Sequence, residues 1–583
     1  MTKFTYSDYL SQFRHAGRKR VSVQPRLRDG SRGGEGARES GGTSEPEDAD
    51  PVVLAIRRGD LDAVNDLASS SAHSLLKENK DGWMPLHEAA YSGQAECVKA
   101  LLRAHPGSVD KRTLQEQTAL LLAVCGRHLS CVRSLLEAGA DPDISSNNKD
   151  TPLYKACELE SVDMASLVLS YGATVNQRCG RGWTALHEAV SRDNTDLCDM
   201  LLRARASINP PNTYSVTPLI VAAQRGRARA LRFLIEKGAD VNMQACDGVT
   251  ALHEASKEGH QEVVALLLAQ NADANRATDS GLLPLHVAAQ YGHHQIVSLL
   301  VPVTSRARLR HSAVTPLHLA AQHDRHAAAA VLLKTGADVN ATLAGSRSAG
   351  YADGRATALY FSVASGGTRT AELLLRAGAS PGLDPVSPLL MAVRRGCLST
   401  VALLLEKGAD VDATAPSIAT TFPAVVALCV NNLPLLKCLL ANGCDALSCF
   451  TCTYGGAPHP ASAGAQTLLS QRDSMLHLNC SEPAERATQF CEWISSAAMC
   501  EWAGPTVDLL LEHVGQVQLC HKLSELLDRR DEWRSVKRKS LSPRPLLHLC
   551  RLRIRSQMGR DRLRSIPSLP LPQRLITYLS LAD

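Results

Sequence analysis

A phrase close to Thr-Pro-Leu-His returns along this chain at intervals of about one third of a hundred residues, and nothing else in the sequence limits the fold so severely. Matching ten-residue blocks begin at Asp50, Met84, Thr118, Thr151, Thr184, Thr217, Thr250, Leu283, Thr315, Thr357, Ser387 and Phe422, with steps of 34, 34, 33, 33, 33, 33, 33, 32, 42, 30 and 35. A unit of that length is a single supersecondary element that cannot bury its own apolar face, so it is stable only when stacked on copies of itself. The spacing predicts twelve stacked units over residues 50–445.

The blocks share a chemistry as well as a spacing. Their sixth place is Ala in eleven of twelve, Ser362 being the exception, and a side chain that small lets two helices approach closely. Thr at the block start and Pro after it suit the first turn of a helix. A second Leu-rich segment follows, often closed by Gly-Ala-Asp as at 139–141, 238–240, 336–338 and 408–410, where Gly provides the left-handed residue that ends a helix. The chain is 44% hydrophobic but only 4% aromatic, which fits a core of Leu, Ala and Val between short helices. This pattern resembles the ankyrin repeat, a turn followed by two antiparallel helices. The resemblance implies an all-α, curved solenoid with a concave surface suited to binding. The long step comes from an Ala/Gly/Ser/Arg-rich insertion at 341–355, read as a surface loop.

No apolar run approaches the roughly 18 residues that span a bilayer, and Met1–Phe13 lacks a signal-peptide core, so an intracellular protein without membrane insertion is expected. The 18 cysteines are scattered through Leu-rich segments, as at Cys97, Cys131, Cys198 and Cys397, which suits buried thiols in a reducing compartment. Residues 534–564 hold eleven Lys/Arg and one Asp, interleaved with an apolar stripe. That stretch reads as a helix with a solvated basic face rather than a nucleic-acid site.

Several motifs fail on inspection. His253-Glu254 is followed by Ala255, Ser256 and Lys257, so the zinc-protease pattern is broken, and His253 fills the same repeat slot as His87, His187, His286 and His318. Structural histidines bonding neighbouring turns are expected there. Cys449-Phe-Thr-Cys452, near Cys444 and His459, has the spacing of half a zinc site, but without a second such pair no metal and no cofactor is expected. No phosphate-binding loop or nucleophile elbow is present, so no catalytic residue is assigned. Trp83, Trp183 and Tyr214 fall at the tips of repeat turns, where rings can meet a protein partner or pack on the neighbouring turn.

After a Gly/Ala/Pro/Ser-rich linker, Pro543 and Pro545 precede Leu546, Cys550 and Ile554, which at steps of four share one face of a helix. Downstream, Leu569-Pro570-Leu571-Pro572 should be extended, and Leu575, Tyr578 and Leu579 then form a short apolar helical face. This ordered pair, ending a chain with ankyrin-like repeats, resembles the ankyrin repeat and SOCS box family. The phrases GWMPLHEAAYSGQ from Gly82, RGWTALHEAV from Arg181 and WAGPTVDLLLEHVGQVQLC from Trp502 are similar to it too.

The resemblance implies a non-catalytic substrate receptor of a ubiquitin ligase. Leu546, Cys550 and Ile554 match the family's box for Elongin B and Elongin C. Leu569, Pro570, Leu571 and Pro572, with Leu575, Tyr578 and Leu579, match its box for cullin-5, which carries a RING subunit. Filamin-type actin cross-linkers are implied as candidate targets, and a cytoplasmic, actin-associated location with them. The expected organisation is a largely disordered 1–49, repeats over 50–445, a linker region over 446–500, a helical connection over 501–531 and a SOCS box over 532–583. Two other readings compete: a plain ankyrin scaffold whose terminal stripe caps the solenoid, and a nucleic-acid binder using the basic tail.

Overall fold

The computed structural model describes residues 51–70, 74–312, 314–343, 355–414, 420–459, 487–563 and 565–580. The segment 1–49, most of the 341–355 insertion and much of the Gly/Ala-rich linker lie outside them. The described chain is helical, with isolated β-bridges such as Gln244 to Thr250 and no strand. It divides into two compact units, Met1–Pro284 and Leu285–Asp583.

The first unit stacks helix pairs running from Pro51–Arg58 with Leu61–Ser70 to Ala251–Glu258 with Gln261–Ala269. Each inner helix packs on the inner helix before and after it and on its own outer partner. The residue at the sixth place of every block is buried there, from Ala55 to Ala255, so the small side chain marks the seam between inner helices. Local chemistry explains why each unit starts where it does. Thr118 and Thr151 accept hydrogen bonds from the backbone N–H groups of Leu121 and Tyr154 at 3.2 and 3.1 Å, satisfying donors that a helix start leaves orphaned. Outer helices end at residues such as Gly238, whose φ of +91° turns the chain toward the next unit.

The repeated histidine is the cross-tie. In His187 and His253 the Nε2–H donates to the carbonyls of Val216 and Leu282 in the next turn, at 3.1 Å each, while Nδ1 accepts from the N–H of its own helix start. His87 does the same between Met84 and Lys111. The structural role expected of these residues is what the geometry shows.

The second unit continues with helix pairs from Pro284–Tyr291 to Ala424–Cys429 with Leu433–Ala441, and adds the short helix Arg306–His311. His286 and His318 donate to Val314 and Ala356 in the same manner, at 2.8 and 2.9 Å. Twelve helix pairs are thus present among the described residues. Beyond them come the helices Phe490–Ile494, Ala503–Leu511, His521–Asp528, Arg534–Leu541, Leu546–Met558, Arg560–Leu563 and Gln573–Ser580. The basic stretch is therefore three helices rather than one. Gly504 lies against the indole of Trp533, where a Cβ would collide with the ring.

None of the described cysteines forms a disulfide. Cys131 and Cys198 are buried, and desolvation pushes the Cys131 thiol up to about 11. No helix among the described residues is long and apolar enough to cross a membrane.

Candidate functional site

Leu546–Met558 is a helix built inside out. It starts after Pro545, whose fixed φ and missing N–H suit a helix entrance. One face carries Leu546, Cys550 and Ile554, and all three are exposed, Leu546 at 76% and Ile554 at 44%. Leu547 and Leu549 extend the open apolar surface.

The opposite face is basic and anchored. Arg544 and Arg551 donate to the carbonyls of Leu511 and Glu512 at 3.0 and 3.1 Å, and His548 Nε2–H to Val514 at 3.0 Å. The Leu511 and Glu512 carbonyls end the Ala503–Leu511 helix, where unpaired acceptors and the negative dipole end favour cationic donors, and Val514 lies in the turn that follows. Arg555 is buried, and its two terminal nitrogens reach different elements: Nη1 donates to Leu579 at 2.6 Å and Nη2 to Ala441, at the end of the last repeat's outer helix, at 2.5 Å. Burial, reinforced by Arg551, lowers its pKa to about 10, still cationic at neutral pH.

More of the basic stretch is engaged nearby. Lys537 pairs with Asp528 and Lys539 with Asp508, at 2.5 and 2.6 Å, and Arg560 pairs with Asp412 of the repeats. The expectation of a simply solvated basic face is corrected accordingly. These cations hold the helices in place by their backbone and carboxylate partners, and the apolar stripe is what remains open.

The second predicted segment is extended into a short turn. Pro570, Leu571, Pro572 and Leu575 are exposed, Leu569 is half-buried, and Tyr578 is half-buried beneath the Arg551 guanidinium at 4.6 Å from its ring centre. Leu579, read from the sequence as part of one apolar face with Leu575 and Tyr578, is turned inward. At 5% exposed it packs with Leu563 and Ile566, and Leu569 and Ile576 cover that cluster. A terminal helix this short needs one apolar side chain turned inward to stay attached.

The turn-tip aromatics separate. Trp83 is half-buried, with its edge against Tyr91 at 5.5 Å. Trp183 and Tyr214 are 1% and 6% exposed. Trp183 stacks on His187 and lies under the guanidinium groups of Arg181 and Arg225, so it packs the turn rather than facing a partner.

Sequence reasoning missed the basic anchoring face, although the i, i+3 and i+7 spacing of His548, Arg551 and Arg555 opposite the apolar stripe was there to be read. It also missed that Cys452 and His459 meet Cys491 and Cys520, while Cys449 stands outside that group.

Comparison with known proteins gives this arrangement its context. The family model described as ankyrin repeats (3 copies) matches residues 52–146, 135–212, 205–278 and 270–342, an ankyrin-repeat model matches 386–415, and the SOCS-box model matches 542–580. Ankyrin repeat and SOCS box protein 2 of Mus musculus is 56% identical over 538 residues, 92% of this chain and 83% of its own length. The chain belongs to the ankyrin repeat and SOCS box family. The Homo sapiens protein of the same name is 56% identical over 537 residues, 92% of this chain and 84% of its own length. Ankyrin repeat and SOCS box protein 14 of Mus musculus is 36% identical over 282 residues, 48% of this chain and 46% of its own. Family membership makes the chain, in general terms, a SOCS-box substrate adaptor of a ubiquitin ligase, with repeats for a protein substrate and a box for Elongin and cullin subunits.

Proposed function

We propose that the exposed stripe of Leu546, Cys550 and Ile554 is occupied by Elongin C within the Elongin B/C pair, and that Leu569–Pro572 with Leu575 and Tyr578 meets cullin-5 and its RING subunit. The single observation that carries this reading is a helix whose basic face is fixed to its own chain while its apolar face is left open. Contiguous exposed apolar side chains mark interaction sites, and a fixed helix meets its partner at little ordering cost. Leu579 supports the second contact from behind, by holding the terminal helix.

We further propose a non-catalytic mechanism acting by proximity. Repeats hold a target, filamin-type actin cross-linkers being the class favoured by the family resemblance, while the box recruits the machinery that carries activated ubiquitin. Tethering of this kind raises the local concentration of target lysines to the order of millimolar. Domain limits of 50–445 for the repeats and 532–583 for the box fit this division of labour.

Ubiquitin transfer in a reconstituted mixture tests it. Full-length chain, Elongin B/C and cullin-5 with its RING subunit should ubiquitinate purified filamin, and Leu571→Asp with Leu575→Asp should abolish transfer while Elongin still co-purifies. Transfer that is unchanged without cullin-5 would contradict the cullin assignment. Elongin binding with no filamin capture would contradict the target alone.

A further inference from the structure

We propose that Cys452, His459, Cys491 and Cys520 form a structural zinc site joining the loop after the last repeat to the Phe490–Ile494 and His521–Asp528 helices. Sγ of all three cysteines and a ring nitrogen of His459 lie within 4.8 Å of one another. His459 Nε2 is 3.1 Å from Cys452 Sγ and 3.4 Å from Cys491 Sγ, and the Cys452 and Cys491 sulfurs are 3.8 Å apart. A tetrahedral zinc with Zn–S near 2.3 Å and Zn–N near 2.0 Å requires ligand separations of about 3.5 to 3.8 Å. The Cys491–His459 and Cys452–Cys491 separations lie at those values, Cys452 and His459 stand a few tenths of an ångström closer, and the group has the number and the ligand chemistry of a Cys₃His site. It does not have the geometry of a disulfide, whose sulfurs sit about 2.05 Å apart.

The surroundings position each ligand. Cys452 and His459 come from the loop after the last repeat, Cys491 from the Phe490–Ile494 helix, and Cys520 caps the His521–Asp528 helix. Gln489 fastens the loop from both sides of its amide, accepting from the Thr453 N–H at 3.0 Å and donating to Thr453 Oγ1 at 2.7 Å. The His521 N–H donates to the Gly455 carbonyl at 3.2 Å, and the Tyr454 ring lies 4.9 Å from that of His459. Cys491 and Cys520 are buried and the other two ligands half-buried, as in a closed structural site with no position left for substrate.

Binding would release the protons of the three thiols to solvent and leave His459 neutral, giving a centre of net charge −1. Cys520 stands at the N-cap of the His521–Asp528 helix, whose positive dipole end provides the complementary field. A shared metal also explains why four such side chains from three segments converge. A metal here would cross-link the loop to the two helices.

Elemental analysis of the full-length chain, purified under reducing conditions without chelator, tests the site. About one zinc per chain is expected, falling to near zero in Cys491→Ser and in Cys520→Ser and staying at its full value in Cys438→Ser, which changes a thiol outside the group. Because the serine variants can fail to fold, wild-type protein stripped of metal and titrated with cobalt gives a second readout: the visible absorption of tetrahedral cobalt bound by thiolates, displaced by added zinc. A folded wild-type chain with neither stoichiometric zinc nor that cobalt spectrum would overturn the proposal. So would zinc retained in both serine variants, or a mass showing a Cys452–Cys491 disulfide in the reduced, folded protein.

Discussion

A histidine that receives a hydrogen bond on Nδ1 and donates one from Nε2 must be neutral, and the repeat slot occupied by His187 and His253 enforces that state. Burial lowers both to about 4 from an ordinary value of 6.5, against the raising effect of their backbone carbonyl partners. A depressed folded value means that the unfolded chain binds more protons below pH 6.5, so the stabilisation is complete above that pH and is lost as pH falls toward 4. The shift corresponds to about 3 kcal/mol for each residue, the stability lost between neutral pH and pH below the folded value. Thermal unfolding followed from pH 7.5 to 4.5 should show a falling midpoint, with the steepest loss below pH 6. His253→Asn should have a lower midpoint at neutral pH and a shallower acid dependence; an unchanged slope would assign the acid sensitivity to other groups. A different constraint acts at Gly504, where only a hydrogen fits beside Trp533. Gly504→Ala should destabilise the protein despite the better helix propensity of Ala, by about 1 to 3 kcal/mol in denaturant unfolding.

At the scale of elements, the docking helix inverts the usual amphipathic arrangement. Its cations face inward because backbone carbonyls at the end of the Ala503–Leu511 helix need donors, and Arg555 ties the last repeat's outer helix to the final helix through two carbonyls at once. Arg555→Ala removes a charged donor and leaves both acceptors bare, which should cost about 3 kcal/mol. Arg555→Lys should recover little of this, because one ammonium lacks the planar fork that spans two acceptors. Amide hydrogen exchange across residues 573–580 checks both variants, with faster exchange expected in each. Exchange as slow as wild type in the alanine variant would mean that Leu563, Ile566 and Leu579 hold the segment without the arginine.

Across the whole molecule, what the sequence revealed follows the locality of the signal. The twelve helix pairs were legible because Ala, Leu and Gly recur at positions fixed within each unit, and the histidine role was legible because one residue repeats in one slot. Inward and outward placement in the last fifty residues was harder. Leu575 and Leu579 read alike in the sequence, yet one is exposed and the other packs against Leu563, and only the tertiary contact separates them. Trp183 and Tyr214 gave the same difficulty, since a ring at a turn tip can point either way. The four Cys/His ligands were least legible because they are spread from 452 to 520 without the paired spacing of familiar zinc motifs. Repeats, connecting helices and box thus differ in how openly they are written, though all three serve one function: holding a protein target near an enzyme that this chain recruits.

The most direct test is the affinity of the purified full-length chain for Elongin B/C, measured by calorimetry for wild type and for the pair Leu546→Ala, Cys550→Ala, with circular dichroism confirming that both are folded. Both side chains are exposed, so the variant should keep its helical content and melting behaviour. Loss of an interface hot spot costs at least about 2 kcal/mol, or about thirtyfold in affinity. A folded variant weakened by that factor or more is the predicted result. Equal binding by the two proteins, or no binding by wild type, would contradict the adaptor assignment and favour a scaffold whose terminal stripe serves another purpose.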